Sequence, residues 1–215
     1  MLFRSTVGNL TVNGNLTVTG TSTLTGATTI QGLTVGKGAG AVSTNTAVGA
    51  SALATNSTGG QDTAIGYQAL TTSNGDYNTA VGYQAAQNTT TGSDLTAVGR
   101  TALQNNTTGA SNTAIGRSAL ASNTTASNNT AVGYQAGYSN TTGGITAFGY
   151  QAVYSNTTAG DVTGFGTQAL YSNTGQSNDA FGYRALYSNT SGTFNVALGK
   201  ESLRSNTTAS NNTAV

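Results

Sequence analysis

Residues 128–160 read NNTAVGYQAGYSNTTGGITAFGYQAVYSNTTAG, which is nearly one phrase written twice: AVGYQAGYSNTTGG, then AFGYQAVYSNTTAG. A self-similar period fixes the architecture before any single residue does. The anchor of the phrase is A-[VIFL]-G. Its glycines fall at Gly49, Gly66, Gly82, Gly99, Gly116, Gly133, Gly149, Gly166, Gly182 and Gly199, at spacings of 16 or 17 residues. An eleventh copy stops at Thr213-Ala214-Val215, as expected of a piece of a longer protein.

The copies can be compared with one another. Two residues before Gly stands Ala in every copy but one, where Gly164 replaces it. Directly before Gly stands Val48, Ile65, Val81, Val98, Ile115, Val132, Phe148, Phe165, Phe181 or Leu198. Three after Gly stands Ala, with Ser202 the one change, and four after it is usually Leu (Leu53, Leu70, Leu103, Leu120, Leu170, Leu186, Leu203). Seven after it is mostly Asn, as at Asn56, Asn106, Asn123, Asn140 and Asn206. Sixteen or seventeen residues are too few for a helical repeat of the tetratricopeptide or ankyrin kind. The copies are also too rich in Gly and β-branched residues for helix. The period therefore predicts an all-β fold, a β-solenoid or β-roll of 16–17-residue rungs over residues 41–215. In that reading the V/I/F/L and Leu positions fill the core. Asn followed by Thr-Thr-Gly makes the turn, because Asn and Gly tolerate left-handed backbone angles. The one-residue length changes belong in the loop after that Asn. Tyr or Arg directly after Gly points outward, which implies that Gly breaks the strand.

Residues 1–40 follow a different rule. Glycines at Gly8, Gly14, Gly20, Gly26 and Gly32 come every six residues, and GNLTVNGNLTVTG alternates apolar with polar side chains. This predicts a hexapeptide-repeat β shaft, closed by the Gly-rich junction VGKGAGAVST and a boundary near Gly40.

Composition excludes several functions. The chain has 215 residues, a net charge of +1, no His, Cys, Pro or Trp, and 6% charged residues, against about a quarter in ordinary domains. That charge offers no footprint for nucleic acid, and no apolar run reaches the ~18 residues of a membrane span. The opening MLFRSTVGNLTVNG lacks the apolar core of a secretory signal, so export by that route is not expected. Without His or Cys, nucleophilic catalysis would fall to the few carboxylates: Asp62, Asp76, Asp94, Asp161, Asp179 and Glu201. Asp161 and Asp179 stand one rung apart, a separation a glycosidase pair could use. Solubilising turn aspartates are the simpler account, and all five Asp are assigned to loops. No spacing fits a metal site. The expectation is a protein that is not an enzyme and holds no cofactor.

Aromatic residues are the most suggestive feature. Tyr67, Tyr83, Tyr134, Tyr150 and Tyr183 follow the anchor Gly and are candidate glycan contacts. The competing account, favoured here, is that they and Tyr138, Tyr154, Tyr171 and Tyr187 stack rung on rung and cover the rung edges. Gln68, Gln84, Gln135, Gln151 and Gln168 are expected to form polar ladders, and so are the recurring Asn.

The strings NNTAVG (Asn128 to Gly133) and SNTAIG (Ser111 to Gly116) resemble the S-V-A-I-G motif of trimeric autotransporter adhesin heads, the YadA-like β-roll. NTAVGYQAL…SNTTG and GNLTVNGNLTVTG look like repeats and shafts of phage tail fibres. The resemblance implies a parallel homotrimer on a virion, a structural fibre shaft that holds a receptor-binding tip for host attachment. Its partners would be its own copies, other tail or baseplate proteins, and a host surface glycan. A rung with about two large apolar side chains buries little alone, so the Ala positions are expected to face a partner and let three backbones meet. The alternatives are a bacterial surface adhesin or extracellular filament whose repeats bind directly, and an ice-binding solenoid. Adjacent pairs such as Thr107-Thr108 speak against the last, because neighbours on a strand point to opposite faces.

Overall fold

The computed structural model describes residues 28–30, 33–40, 42–141, 143–158 and 160–215. Most of the six-residue-repeat segment, residues 1–27 with 31 and 32, lies outside the described residues. The strands are β1 (Thr28–Ile30), β2 (Leu33–Gly36), β3 (Thr46–Val48), β4 (Thr63–Ile65), β5 (Thr79–Val81), β6 (Thr96–Val98), β7 (Thr113–Ile115), β8 (Thr130–Val132), β9 (Ile145–Phe148), β10 (Val162–Phe165), β11 (Asp179–Phe181), β12 (Val196–Leu198) and β13 (Thr213–Ala214). They form one sheet in chain order. From β3 to β13 every pairing is parallel, with T-A-V stacked on T-A-V in unbroken register, as in Ala64 on Ala80 and Ala97 on Ala114. Among the described residues there is no helix, and the chain is a parallel β-solenoid of about ten turns. At strand spacing the ten turns span about 48 Å. Register is held because the length changes fall in the loops between the inner Asn and the next strand. β1 and β2 differ: β2 pairs antiparallel with β1 and with β3, so a hairpin lies along the edge of the first rung.

Every rung solves its backbone hydrogen bonding the same way. Gln68 N–H donates down to the Ala50 carbonyl, and Leu70 N–H donates up to that of Ala85. To point successive amides to opposite neighbours, the chain adopts left-handed angles twice, at Gln68 (φ 54°) and Leu70 (φ 46°). The same pair recurs at Thr101 and Leu103, Ser118 and Leu120, and Arg184 and Leu186. Such angles cost non-glycine residues about 1 kcal/mol or more each. They persist because the stacked hydrogen bonds and the burial of Leu depend on them. The anchor glycines have φ between +126° and +141°, a region that side-chain-bearing residues rarely enter. Space imposes the same choice: a Cβ on Gly82 would lie 2.6 Å from the carbonyl oxygen of Gly99.

The interior differs from the sequence expectation in two respects. The residue before Gly is not core. Phe165 is 51% exposed, Leu198 50% and Ile65 39%, while Val81, Val98 and Val132 are half-buried. The Ala two before Gly points inward and is fully buried from Ala64 to Ala197, as is the Ala three after it. The Ala columns therefore line each chain's own interior and face no partner. The cause is the narrow cross-section, which at the middle of the T-A-V triplet accepts Ala or Gly and turns the residue after it outward. This also removes the parity conflict across Gly, since the residues on either side of it both point outward.

The Asn residues hold the interior from within. Asn123 Nδ2 donates to the carbonyl of Ala126 at 3.0 Å and to Asn106 Oδ1 in the rung below at 2.8 Å. Asn189 repeats this with Gly192 at 2.9 Å and Asn173 at 2.7 Å. None of these Asn has a left-handed backbone. Their turn is made by side-chain bonding, and the Gly that follows is needed for close stacking, as at Gly109 after Asn106, where a Cβ would meet the Ala126 carbonyl. A second inner column, just before each strand, holds Asn45, Asp62, Asn78, Asn112, Asn129, Asn178 and Asn195. There each side-chain oxygen accepts the backbone N–H of the next rung, as when Asn129 N–H bonds Asn112 Oδ1 at 3.0 Å. Asn56 Oδ1 and Asn123 Oδ1 are buried without a hydrogen-bond partner; Ser73 stands above the first, and the Asn140 amide above the second turns to Asn129.

Candidate functional site

The outer surface of the sheet is the feature most unlike an ordinary monomer. Along most rungs the chain crosses it in one order: Thr, two residues later the apolar residue, then Gly, and then Tyr or Arg, with Asp179 and Val196 in place of Thr and with Ala50, Thr167 and Lys200 in the last place. The stack makes parallel stripes. One is Thr46, Thr63, Thr79, Thr96, Thr113, Thr130, Thr146 and Thr163. Beside it runs the apolar stripe from Val48 to Leu198, in which Phe148 and Phe165 stack at 5.3 Å. Ten rungs long and about four residues wide, the face measures roughly 48 Å by 13 Å, or about 600 Å². Only one of its columns is apolar, and in that column Val48, Val81, Val98, Val132 and Phe148 are half-buried.

The candidate tyrosines stack on one another. Tyr67 lies on Tyr83 and Tyr134 on Tyr150, both at 5.3 Å between ring centres. Tyr183 is flanked by Arg184 at 5.0 Å and Lys200 at 5.9 Å. A second spine, Tyr138, Tyr154, Tyr171 and Tyr187, is continuous at 5.1 to 5.2 Å. Ring faces, the surfaces on which a sugar would stack, are thus largely occupied by neighbouring rings and cations, and mainly edges are presented. Burial raises the Tyr154 phenol above its ordinary value, with its neighbours Tyr171 and Tyr138 adding to the effect. The Gln ladder runs alongside: Gln84 to Gln68 at 2.8 Å, Gln151 to Gln135 at 3.0 Å, and Gln168 to Gln151 at 3.1 Å. Arg184 Nε continues it onto Gln168 Oε1 at 2.9 Å.

The acids are not all in loops. Asp179 opens β11, and Asp62 is 1% exposed inside the second Asn column. Its Oδ1 accepts the Asn78 N–H at 2.9 Å and its Oδ2 the Asn56 amide at 3.2 Å. Burial nevertheless pushes its carboxyl up to about 6, against the pull of the Asn78 bonds. Comparing the copies at the position four before Gly would have found it, since Asp62 stands between Asn45 and Asn78 there. Among the described residues no group of three His, Cys, Asp or Glu is placed to hold a metal ion, and no helix is long and apolar enough to cross a membrane.

No family model, characterised protein or solved structure matches the chain.

Proposed function

We propose that this chain is a non-catalytic shaft of an extended appendage of the phage tail-fibre type, working as a homotrimer that holds a receptor-binding tip away from a virion. The observation that carries this reading is the apolar stripe that runs from Val48 to Leu198 along the stack of rungs. A continuous outward apolar stripe marks a surface for a partner, and repetition multiplies a weak contact rung by rung. The axis of the trimer is assigned to the apolar stripe, since the Ala columns are consumed inside each chain. Other tail or baseplate proteins are its proposed neighbours. Host recognition, including any surface glycan, is assigned to the tip because the tyrosine faces are already stacked. A bacterial adhesin or extracellular filament would use the same rod. Sedimentation of the full chain tests the reading: an elongated trimer supports it, and a monomer at all concentrations overturns it.

A second reading draws on the Thr stripe. T-A-[VI] sets a hydroxyl column beside a methyl column, each repeating at about 4.8 Å, which is a lattice suited to ordering water as ice. That use needs the face bare. A monomer that shows thermal hysteresis would establish it in place of the fibre.

A further inference from the structure

The two Asn columns of the interior work as a pair. In a regular rung, two side-chain amides meet on one turn carbonyl. Asn206 Nδ2, in the column seven after Gly, donates to Asn189 Oδ1 below it at 2.9 Å and to the Ala209 carbonyl at 3.0 Å. Asn195 Nδ2, in the column before the strand, donates to the same carbonyl at 3.0 Å. The Gly192 carbonyl receives Asn189 and Asn178 in the same way.

The rung of Gly66 departs at both places. Ser73 stands where Asn206 does, and Asp62 where Asn195 does. The rung of Gly166, with the same loop length, identifies the carbonyl concerned: Asn173 donates to that of Gly175 at 2.7 Å, and Gly75 is its counterpart. Among the described residues, nothing donates a hydrogen bond to the Gly75 carbonyl. Asn56 Oδ1, below Ser73, is the buried oxygen without a partner noted above. The place that an amide nitrogen fills in the other rungs is therefore lined by four oxygens: Asn56 Oδ1, Ser73 Oγ, the Gly75 carbonyl and the Asp62 carboxylate. Asn56, Asp62 and Ser73 are at most 1% exposed. Their remaining bonds are few. Asp62 Oδ1 accepts the Asn78 N–H at 2.9 Å, Asp62 Oδ2 the Asn56 amide at 3.2 Å, and Ser73 Oγ the Asn78 amide at 3.3 Å. Each oxygen keeps a free lone pair. The carboxylate also lacks a counter-charge, since the one ion pair among the described residues joins Arg204 to Glu201. A buried carboxylate without a cation is costly.

We infer that the rung of Gly66 binds a monovalent cation of potassium or ammonium size, held by the Asp62 carboxylate, Asn56 Oδ1, Ser73 Oγ and the Gly75 carbonyl. One positive charge balances one carboxylate. The size follows from the intact ladder, where the Asn123 nitrogen sits 2.8 and 3.0 Å from its two oxygens. That is wider than the about 2.0–2.1 Å of magnesium or the about 2.3–2.6 Å of calcium. Ser is shorter than Asn, and the ion takes the room of the missing amide. The site lies within one chain and is independent of the assembly proposed above. A trapped water, or a proton on Asp62, would serve some of these oxygens without any dependence on the salt.

The test is the melting midpoint of the full chain at about pH 7.5 and constant ionic strength, with potassium or ammonium chloride exchanged for choline chloride, whose cation is too large for the site. Raising potassium from about 3 to about 300 mM should lift the wild-type midpoint by about 2 °C or more, and ammonium should do the same. Asp62→Asn removes the charge, and Ser73→Asn returns the amide. Both variants restore residues that neighbouring rungs use, so their far-ultraviolet dichroism should match the wild type, and both should melt alike in potassium and in choline. A wild-type midpoint indifferent to the cation overturns the site and leaves water or a proton in its place. A Ser73→Asn variant as dependent on potassium as the wild type also overturns it, because the ion then binds elsewhere.

Discussion

The rung of Gly116 and the rung of Gly133 solve the same interior in opposite ways. In the first, Leu120 fills the hollow four residues after Gly, and Asn129 Oδ1 braces the next strand from within by accepting the Ile145 N–H at 3.1 Å. In the second, Gly137 takes the Leu position and Ile145 takes the Asn position. Ile145 reaches across into the space that Leu would have filled: a Cβ on Gly137 would lie 2.6 Å from Ile145 Cδ1. The rungs of Gly82 and Gly99 make the same exchange with Ala86 and Leu95. Val153 with Val162 is an intermediate case, and Gly164 replaces the usual Ala where a Cβ would meet Val153 Cγ2 at 2.6 Å. The core thus conserves volume over two columns and trades a hydrogen-bonded brace for apolar fill.

The largest effect should come from breaking this exchange. Ile145→Asn leaves a void beside Gly137 and should cost about 3–4 kcal/mol. Gly137→Leu overpacks the same hollow and should cost about 2–3 kcal/mol. Together they recreate the neighbouring rung, at a left-handed angle (φ 58°) that Leu53 and Leu70 already accept. The double variant should recover most of the loss, and a denaturant double-mutant cycle would read a coupling above about 2 kcal/mol. Additive losses would sink the volume rule.

Next comes the brace. Asn106→Ala removes the bond to the Gly109 carbonyl and the one that Asn106 Oδ1 accepts from Asn123, leaving the buried Asn123 amide with the Ala126 carbonyl alone. The expected cost is about 2 kcal/mol in urea unfolding, whereas truncating exposed Thr108 should cost almost nothing.

Asp62 sharpens the contrast between brace and charge. Its carboxyl stands at about 6 when folded, against an ordinary value of 3.8. A raised value means that its stabilising share is complete below pH 3.8 and is lost as pH rises through 6. That share is at most about 3 kcal/mol. Asp62→Asn should flatten the stability profile between those limits and raise the melting temperature at pH 7.5. A variant no more stable than wild type at that pH would contradict the buried-charge account. The smallest effect is outside: Tyr171→Ala breaks the four-ring spine and should cost about 1 kcal/mol in a melting experiment.

Much of this was legible in the sequence because stacking repeats each choice ten times. The spacing of the glycines gave the rungs, their parallel register and the position of the loop length changes. The Tyr, Gln and Asn ladders followed from residues recurring at one position. Inside and outside were not legible for the strand. In three residues of T-A-V, either the flanking pair or the middle residue can face the core, and hydrophobicity favours the wrong one. Only the width of the interior decides, and width is set by pairs such as Leu120 and Asn129, which stand nine residues apart. The left-handed angles at Gln68 and Leu70 were equally hidden, since neither residue type advertises them.

The antiparallel pairing of β2 with β3 has a consequence for how such a protein changes length over generations. A parallel strand cannot be laid on an edge that the hairpin already occupies. Repeats can therefore be gained or dropped only beyond β3. Each duplication of one repeat's worth of gene moves the far end outward by one strand spacing, about 4.8 Å, and disturbs only the rungs it touches. The hairpin is the zero mark of a ruler, and the number of repeats is the reading.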